Sequence, residues 1–169
     1  MGRTGLAARI TDPVAHPLPP VLTGGPGSPN VIIGNLLAWR GVPGMIAAGL
    51  QAARQVSDTA IQVAEAATIA AAGTPAAPGA KAAEEATKAA CAAAMGAAIS
   101  ALAAASGADK HVCSTPLPIP PHGPGVVVDG SSTVIINNLM ACRVGDTIIE
   151  AVGPPNKITL GCPTVMIGE

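Results

Sequence analysis

Gly130-Ser131-Ser132-Thr133-Val134-Ile135-Ile136-Asn137-Asn138-Leu139-Met140-Ala141-Cys142-Arg143 repeats an earlier stretch, Gly27-Ser28-Pro29-Asn30-Val31-Ile32-Ile33-Gly34-Asn35-Leu36-Leu37-Ala38-Trp39-Arg40, at a constant offset of 103. A third, shorter copy is Gly161-Cys162-Pro163-Thr164-Val165-Met166-Ile167-Gly168. Each copy reads as a Gly-led turn, a β-branched strand of about four residues, then a Gly or Asn pair suited to a reversal with positive φ. Three equivalent hairpin units imply a pseudo-threefold β fold.

Strands are expected at Ile10 and over residues 31–33, 126–128, 134–136, 148–149 and 165–167. All are too short to stand as an isolated sheet, so they must pack around one another. Between the first two copies, residues 44–107 are dominated by alanine and interrupted by Gly73-Thr74-Pro75-Ala76-Ala77-Pro78-Gly79. Alanine is the best helix former and the Gly/Pro cluster a strong turn, so this segment reads as an inserted two-helix hairpin. The expected organisation is a mainly β domain in two parts, 1–43 and 108–169, around a helical insert at 44–107. On the second helix Cys91, Met95, Ile99 and Leu102 form one apolar stripe; on the first, Arg54, Asp58 and Glu65 imply a wet face. Residues 89–108 form an uncharged run of 20, the length a bilayer requires, although alanine is only marginally apolar. Both a self-packed hairpin and a membrane-interacting one fit that run.

The chain has no Phe or Tyr and a single Trp, so its core must be built from small aliphatic groups that bury less surface per residue. Another staple is expected. Net charge is −1 and no Lys/Arg run is long enough to track phosphates, which argues against nucleic acid as a partner. The opening residues lack an apolar signal core, so synthesis in the cytoplasm is expected. In that compartment four cysteines beside three histidines favour metal over cystine.

His16, His111 and His122 all flank Pro or Gly turns of the β portion, and Cys162 stands where Ser28 and Ser131 stand in the other copies. If the units share one axis, three imidazole nitrogens and one thiolate give the closed tetrahedral set of a structural zinc. Such a site adds folding free energy on the order of 10 kcal/mol, enough to offset the missing aromatic core. Cys113 competes with His111 as the ligand from the His111-Val112-Cys113 loop. Cys142 and Cys91 read as small buried apolar groups, Trp39 as a packing residue, and Asp146 as a turn residue or partner of Arg143. No His-Glu-x-x-His pattern, nucleophile elbow or Walker-type phosphate loop occurs, so no enzymatic activity is expected.

Ala141-Cys142-Arg143-Val144-Gly145-Asp146 resembles the Ala-Ala-Arg-Val-Gly-Asp phrase of the PAAR-repeat proteins, the tips of type VI secretion and related contractile injection systems. The three strand copies and Pro121-His122-Gly123 match as well, over roughly residues 9–43 and 109–169. The resemblance implies a cone of β-hairpins that caps a trimeric VgrG-like spike protein, with zinc near the point held by His16, His111, His122 and Cys162. It also implies that the protein is secreted or injected with the spike, aids membrane puncture and assists effector delivery. Two departures stand out: Cys142 replaces the second Ala, and Trp39-Arg40-Gly41-Val42 lacks the expected Asp. The inserted hairpin suggests an alternative role as a membrane-interacting effector or effector adaptor. Secreted effectors or a chaperone are its expected partners.

Overall fold

The computed structural model describes residues 3–15, 22–23, 25–112 and 123–168. Its elements run β1 (Gly5–Ala7), β2 (Ile32–Ile33), β3 (Leu36–Leu37), α1 (Gly44–Ala71), α2 (Ala77–Ser106), β4 (Lys110–Val112) and β5 (Pro124–Val127). There follow β6 (Ile135–Ile136), β7 (Leu139–Met140), β8 (Thr147–Glu150), β9 (Asn156–Lys157) and β10 (Cys162–Ile167). The content is mixed rather than mainly β. Helices of 28 and 30 residues outweigh strands of which none among the described residues exceeds six. The reason is that each strand only has to cross a narrow body, whereas the alanine run continues for many turns.

The strands form a four-stranded antiparallel sheet in the order β4-β5-β8-β9 and three two-stranded ones, β2-β3, β6-β7 and β1-β10. The first two of these small hairpins turn through Gly34 and Asn35, and through Asn137 and Asn138, all four with positive φ. That is the geometry whose twist suits a two-residue hairpin. The third copy does not end on itself: β10 pairs with β1, Gly5 facing Ile167 and Leu6 facing Met166. Leu6-Ala7-Ala8-Arg9-Ile10-Thr11-Asp12 therefore completes the third unit from the opposite end of the chain, and Ile10 lies in a turn rather than a strand.

Backbone hydrogen bonds close the three units into a ring. The Ala8 N–H donates to the Cys142 carbonyl at 2.9 Å, Cys142 to Trp39 at 3.1 Å, and Trp39 back to Ala8 at 3.0 Å. A second set runs round the ring in the opposite sense, two residues outward on each side, from Ile10 to Leu37, Gly41 to Met140 and Val144 to Leu6. Every unit thus satisfies the backbone of both others. Trp39 and Cys142 are buried where the units meet, with Val127, Ile148 and Ile158.

The helices leave this ring after Val42. Ala47 and Leu50 of α1 and Met95, Ile99 and Ala103 of α2 pack with Val126, Val128, Leu139 and Ile149 in one cluster. The expected stripe on α2 is therefore what faces the β body, although Cys91 is only half-buried. Arg54 is not part of a wet face. Its guanidinium bonds the Glu150 carbonyl at 2.7 Å and the Gly153 carbonyl, which fixes α1 to the loop after β8.

Candidate docking face and metal-binding end

Three arginine and aspartate brackets organise the body. Arg9 gives its backbone N–H and Nε to Asp12 Oδ2 at 2.7 and 3.0 Å, and its Nη2 to Oδ1 at 2.8 Å. Arg143 holds Asp146 through its N–H at 2.8 Å and its Nε at 3.1 Å. Arg40 makes the same bracket with Asp109, at 2.8, 3.0 and 2.8 Å. The aspartate missing after Trp39-Arg40-Gly41-Val42 is thus present, 69 residues away. The helical hairpin is inserted inside the turn that the other two brackets close in two residues. Both members of the Arg40 and Asp109 pair are buried, so each depends on the other for its charge.

On one side of the brackets lie the hairpin turns, joined by a cyclic seam. Ser28 Oγ donates to Asn137 Oδ1 at 2.6 Å, and Ser131 Oγ to the Gly168 carbonyl at 2.6 Å. Cys162 takes the third place: its sulfur fills the space over Gly34, where an added Cβ would lie 2.9 Å from Sγ. Ser28 and Ser131 also accept the N–H three residues on, from Val31 and Val134, both at 3.0 Å. The Thr164 hydroxyl lies 3.3 Å from the Cys162 sulfur and lowers the thiol pKa, with further help from the Thr164 backbone. Burial instead pushes the Cys142 thiol well above its ordinary value.

The outer faces of these turns carry equivalent exposed apolar side chains. Ile32, Ile135 and Met166 are 65%, 51% and 60% exposed and occupy the same position in the three copies. Their neighbours Ile33, Ile136 and Ile167 point the other way and pack with Cys162 in the core. A sequence reading that asked only for strands missed this trio, although the aligned copies contain it.

His111 belongs to the four-stranded sheet. It sits on β4, buried, with Nε2 3.4 Å from Glu150 Oε1 on β8. Glu150 is also buried, and its Oε2 accepts Asn156 Nδ2 at 2.6 Å. His111 and Cys162 belong to different sheets and have different neighbours. His16, Cys113 and His122 lie outside the described residues. Of the described residues, Ala15 bonds Lys157 of β9 at 2.7 Å and Val112 of β4 bonds Thr23 at 2.8 Å. Among the described residues, no group of three or more His, Cys, Asp or Glu side chains is placed to hold a metal.

Among the described residues, α2 is the one helix long and apolar enough to cross a membrane, judged by length and composition. Its charged residues Lys81, Glu84, Glu85 and Lys88 fall in the turns nearest the link to α1. Lys88 reaches both Glu84 at 2.6 Å and Glu65 of α1 at 2.8 Å, which pins the two helices together there. Comparisons with protein-family models, curated proteins and solved structures found no match to this chain.

Proposed function

We propose that the protein is a non-enzymatic tip that caps a trimeric VgrG-like spike of a type VI secretion or related contractile injection system, as its resemblance to the PAAR-repeat proteins implies. The observation that carries this reading is the ring of Ile32, Ile135 and Met166, three exposed apolar groups placed equivalently by one chain. A threefold-symmetric surface on a single chain matches a homotrimer's end, where each subunit offers the same pocket. Engaging all three at once multiplies weak contacts into a firm attachment. Short, two-stranded hairpins also leave backbone edges to which a spike's strands can add. The cone shape of the family follows if the loops beyond the brackets taper to a point. Such a tip works by stiffness, so it needs no catalytic group.

A zinc held by His16, His111, His122 and one thiolate would stiffen that point. The chemistry of His111 fits: a buried imidazole beside a buried carboxylate is the usual setting of a zinc-bound histidine. Cys162 fits less well, because its sulfur serves the seam over Gly34 and its strand belongs to a different sheet from that of His111. Cys113 is the better thiolate on sequence spacing. It follows Asp109 by four residues, as His16 follows Asp12 and Glu150 follows Asp146.

Co-elution with a trimeric spike protein tests the docking reading. One chain per trimer is expected, with the triple change Ile32→Asp, Ile135→Asp and Met166→Asp abolishing the complex while the variant stays folded. Undiminished binding by the triple variant would refute it. Elemental analysis should give about one zinc per chain, with a large drop in melting temperature on chelation.

The apolar run of α2 favours a second reading, a membrane-interacting effector or adaptor. Entry of the helical hairpin turn-first would carry Lys81, Glu84, Glu85, Lys88 and Glu65 into hydrocarbon, which is costly even for paired charges. Flotation with lipid vesicles separates the two: a tip stays with the soluble fraction, an inserting hairpin rises with the lipid.

A further inference from the structure

We infer that the exposed face of α1 pairs with the same face of a second copy of this chain, the two helices running antiparallel. The pairing uses none of Ile32, Ile135 and Met166, so it stands or falls apart from the spike reading. The charges of α1 are engaged elsewhere. Arg54 holds Asp58 at 2.8 Å and the Glu150 carbonyl at 2.7 Å, and Glu65 holds Lys88 of α2 at 2.8 Å. The face turned away from α2 and the β body carries no charged side chain, and nothing among the described residues covers it. Two series recur on it at every seventh residue: Gly49, Val56, Val63 and Ala70, and Met45, Ala52, Thr59 and Ala66. All eight are exposed, Met45, Val56 and Val63 by 91%, 72% and 65%. Alternate steps of four and three residues are the spacing with which two helices interlock side chains.

The order of large and small groups identifies the occupant. About a twofold axis between residues 57 and 58, Val56 faces Thr59, Ala52 faces Val63, Gly49 faces Ala66 and Met45 faces Ala70. Each of the larger groups thus meets Ala or Thr, and no two of them collide. A parallel pair would instead set Val56 on Val56 and Val63 on Val63 while leaving gaps at Gly49 and Ala52. Thr59 Oγ1 donates to the Gln55 carbonyl at 2.8 Å, so its polar atom is satisfied within the helix and its methyl faces the partner. Along one edge the same axis brings Gln55 beside Gln62 of the second copy, where two uncharged amides can bond. A lipid surface asks only for apolar area, not for a small group opposite each large one. Residues 45–70 extend roughly 40 Å, and a stripe about 100° wide over that length removes about 1,000 Å² from water across two copies, which suits a reversible pair.

Sedimentation equilibrium of the full chain is expected to show monomer and dimer exchanging in the micromolar range. The double change Val56→Glu and Val63→Glu should weaken association roughly 100-fold or more by burying unpaired charge, with helical circular dichroism unchanged because both positions are exposed in the monomer. Ala93→Glu, on the exposed side of α2, should associate as wild type does. The register is tested by mixing. Ala52→Lys and Val63→Glu should each be monomeric alone, whereas their mixture should associate, because the antiparallel pair sets one substituted position against the other. A mixture that stays monomeric would overturn the antiparallel register. A wild type that stays monomeric at millimolar concentration would overturn the pairing, and its flotation with lipid vesicles would assign the face to lipid instead. Equal loss in Ala93→Glu would move the contact to α2 and overturn the choice of face.

Discussion

The β body and the helical hairpin are built on opposite principles. In the body the bonds that join its units link residues far apart in sequence, and three copies of one motif supply each other's hydrogen bonds. Its specificity resides in a few polar groups at fixed places: three arginine and aspartate brackets, two serines and a cysteine at the seam. In the hairpin the structure is local, the surface is largely alanine, and Met45, Val56, Val63 and Ile69 of α1 remain exposed. Its attachment is a single apolar cluster plus Arg54. The difference teaches that a long insert is tolerated where its two ends emerge from one bracketed turn, because the bracket fixes their separation whatever lies between.

Removing the bracket's carboxylate should therefore be the most damaging single change. Asp109→Ala leaves Arg40 buried without its partner and is expected to cost about 3–5 kcal/mol in urea unfolding. Asp58→Ala, which removes a half-exposed partner of Arg54 on the hairpin, should cost only about 0–1 kcal/mol. Comparable losses from the two would dissolve the distinction between the regions. Next in size, Ile99→Ala should cost about 2–4 kcal/mol by opening a cavity under α2. That loss should appear as hairpin loosening, seen in amide exchange, with the seam still protected.

Acid should act on the hairpin through Glu84, whose carboxyl is lowered to about 2 from 4.5 by hydrogen bonds from Lys88 and then Lys81. A folded-state pKa below the unfolded one means this stabilisation is complete above pH 4.5 and drains away as pH falls toward 2. Helical circular dichroism near the link between α1 and α2 should weaken across that window. A signal flat from pH 4.5 to 2 would show that the ion pairs do not hold the helices together. The smallest effect is expected from Cys162→Ser, which installs the side chain already used at Ser28 and Ser131. Stability should change by about 0.5 kcal/mol or less, with zinc content unaltered. Loss of the metal in this variant would restore Cys162 to the ligand set in place of Cys113.

What the sequence revealed followed from local rules. The alanine run and its Gly/Pro break foretold α1 and α2, and the Val/Ile cores of the copies foretold β2, β6 and β10. What escaped it was non-local. The third unit's second half, Ala7-Ala8-Arg9-Ile10-Thr11-Asp12, was not recognised because Ile-Thr stands where Val-Gly stands in Arg143-Val144-Gly145-Asp146. The partnership of Asp109 with Arg40 leaves no local mark, because 69 residues separate them. The approach of Glu150 to His111 across Gly125 joins three strands, which no spacing rule anticipates. Of the expected metal ligands the structure describes only His111 and Cys162, in different sheets.

Because Gly5 pairs with Ile167, the ring has no stable partial form in which only its early strands are made. During synthesis the helical hairpin, whose bonds are near neighbours, can assemble within microseconds, while β1 waits for a partner 162 residues further along the chain, Gly5 for Ile167. Premature capture of that waiting edge by another nascent chain is the hazard this layout creates. Fusing the two ends and opening the chain between α1 and α2 would turn the split unit into a contiguous one and should speed its refolding.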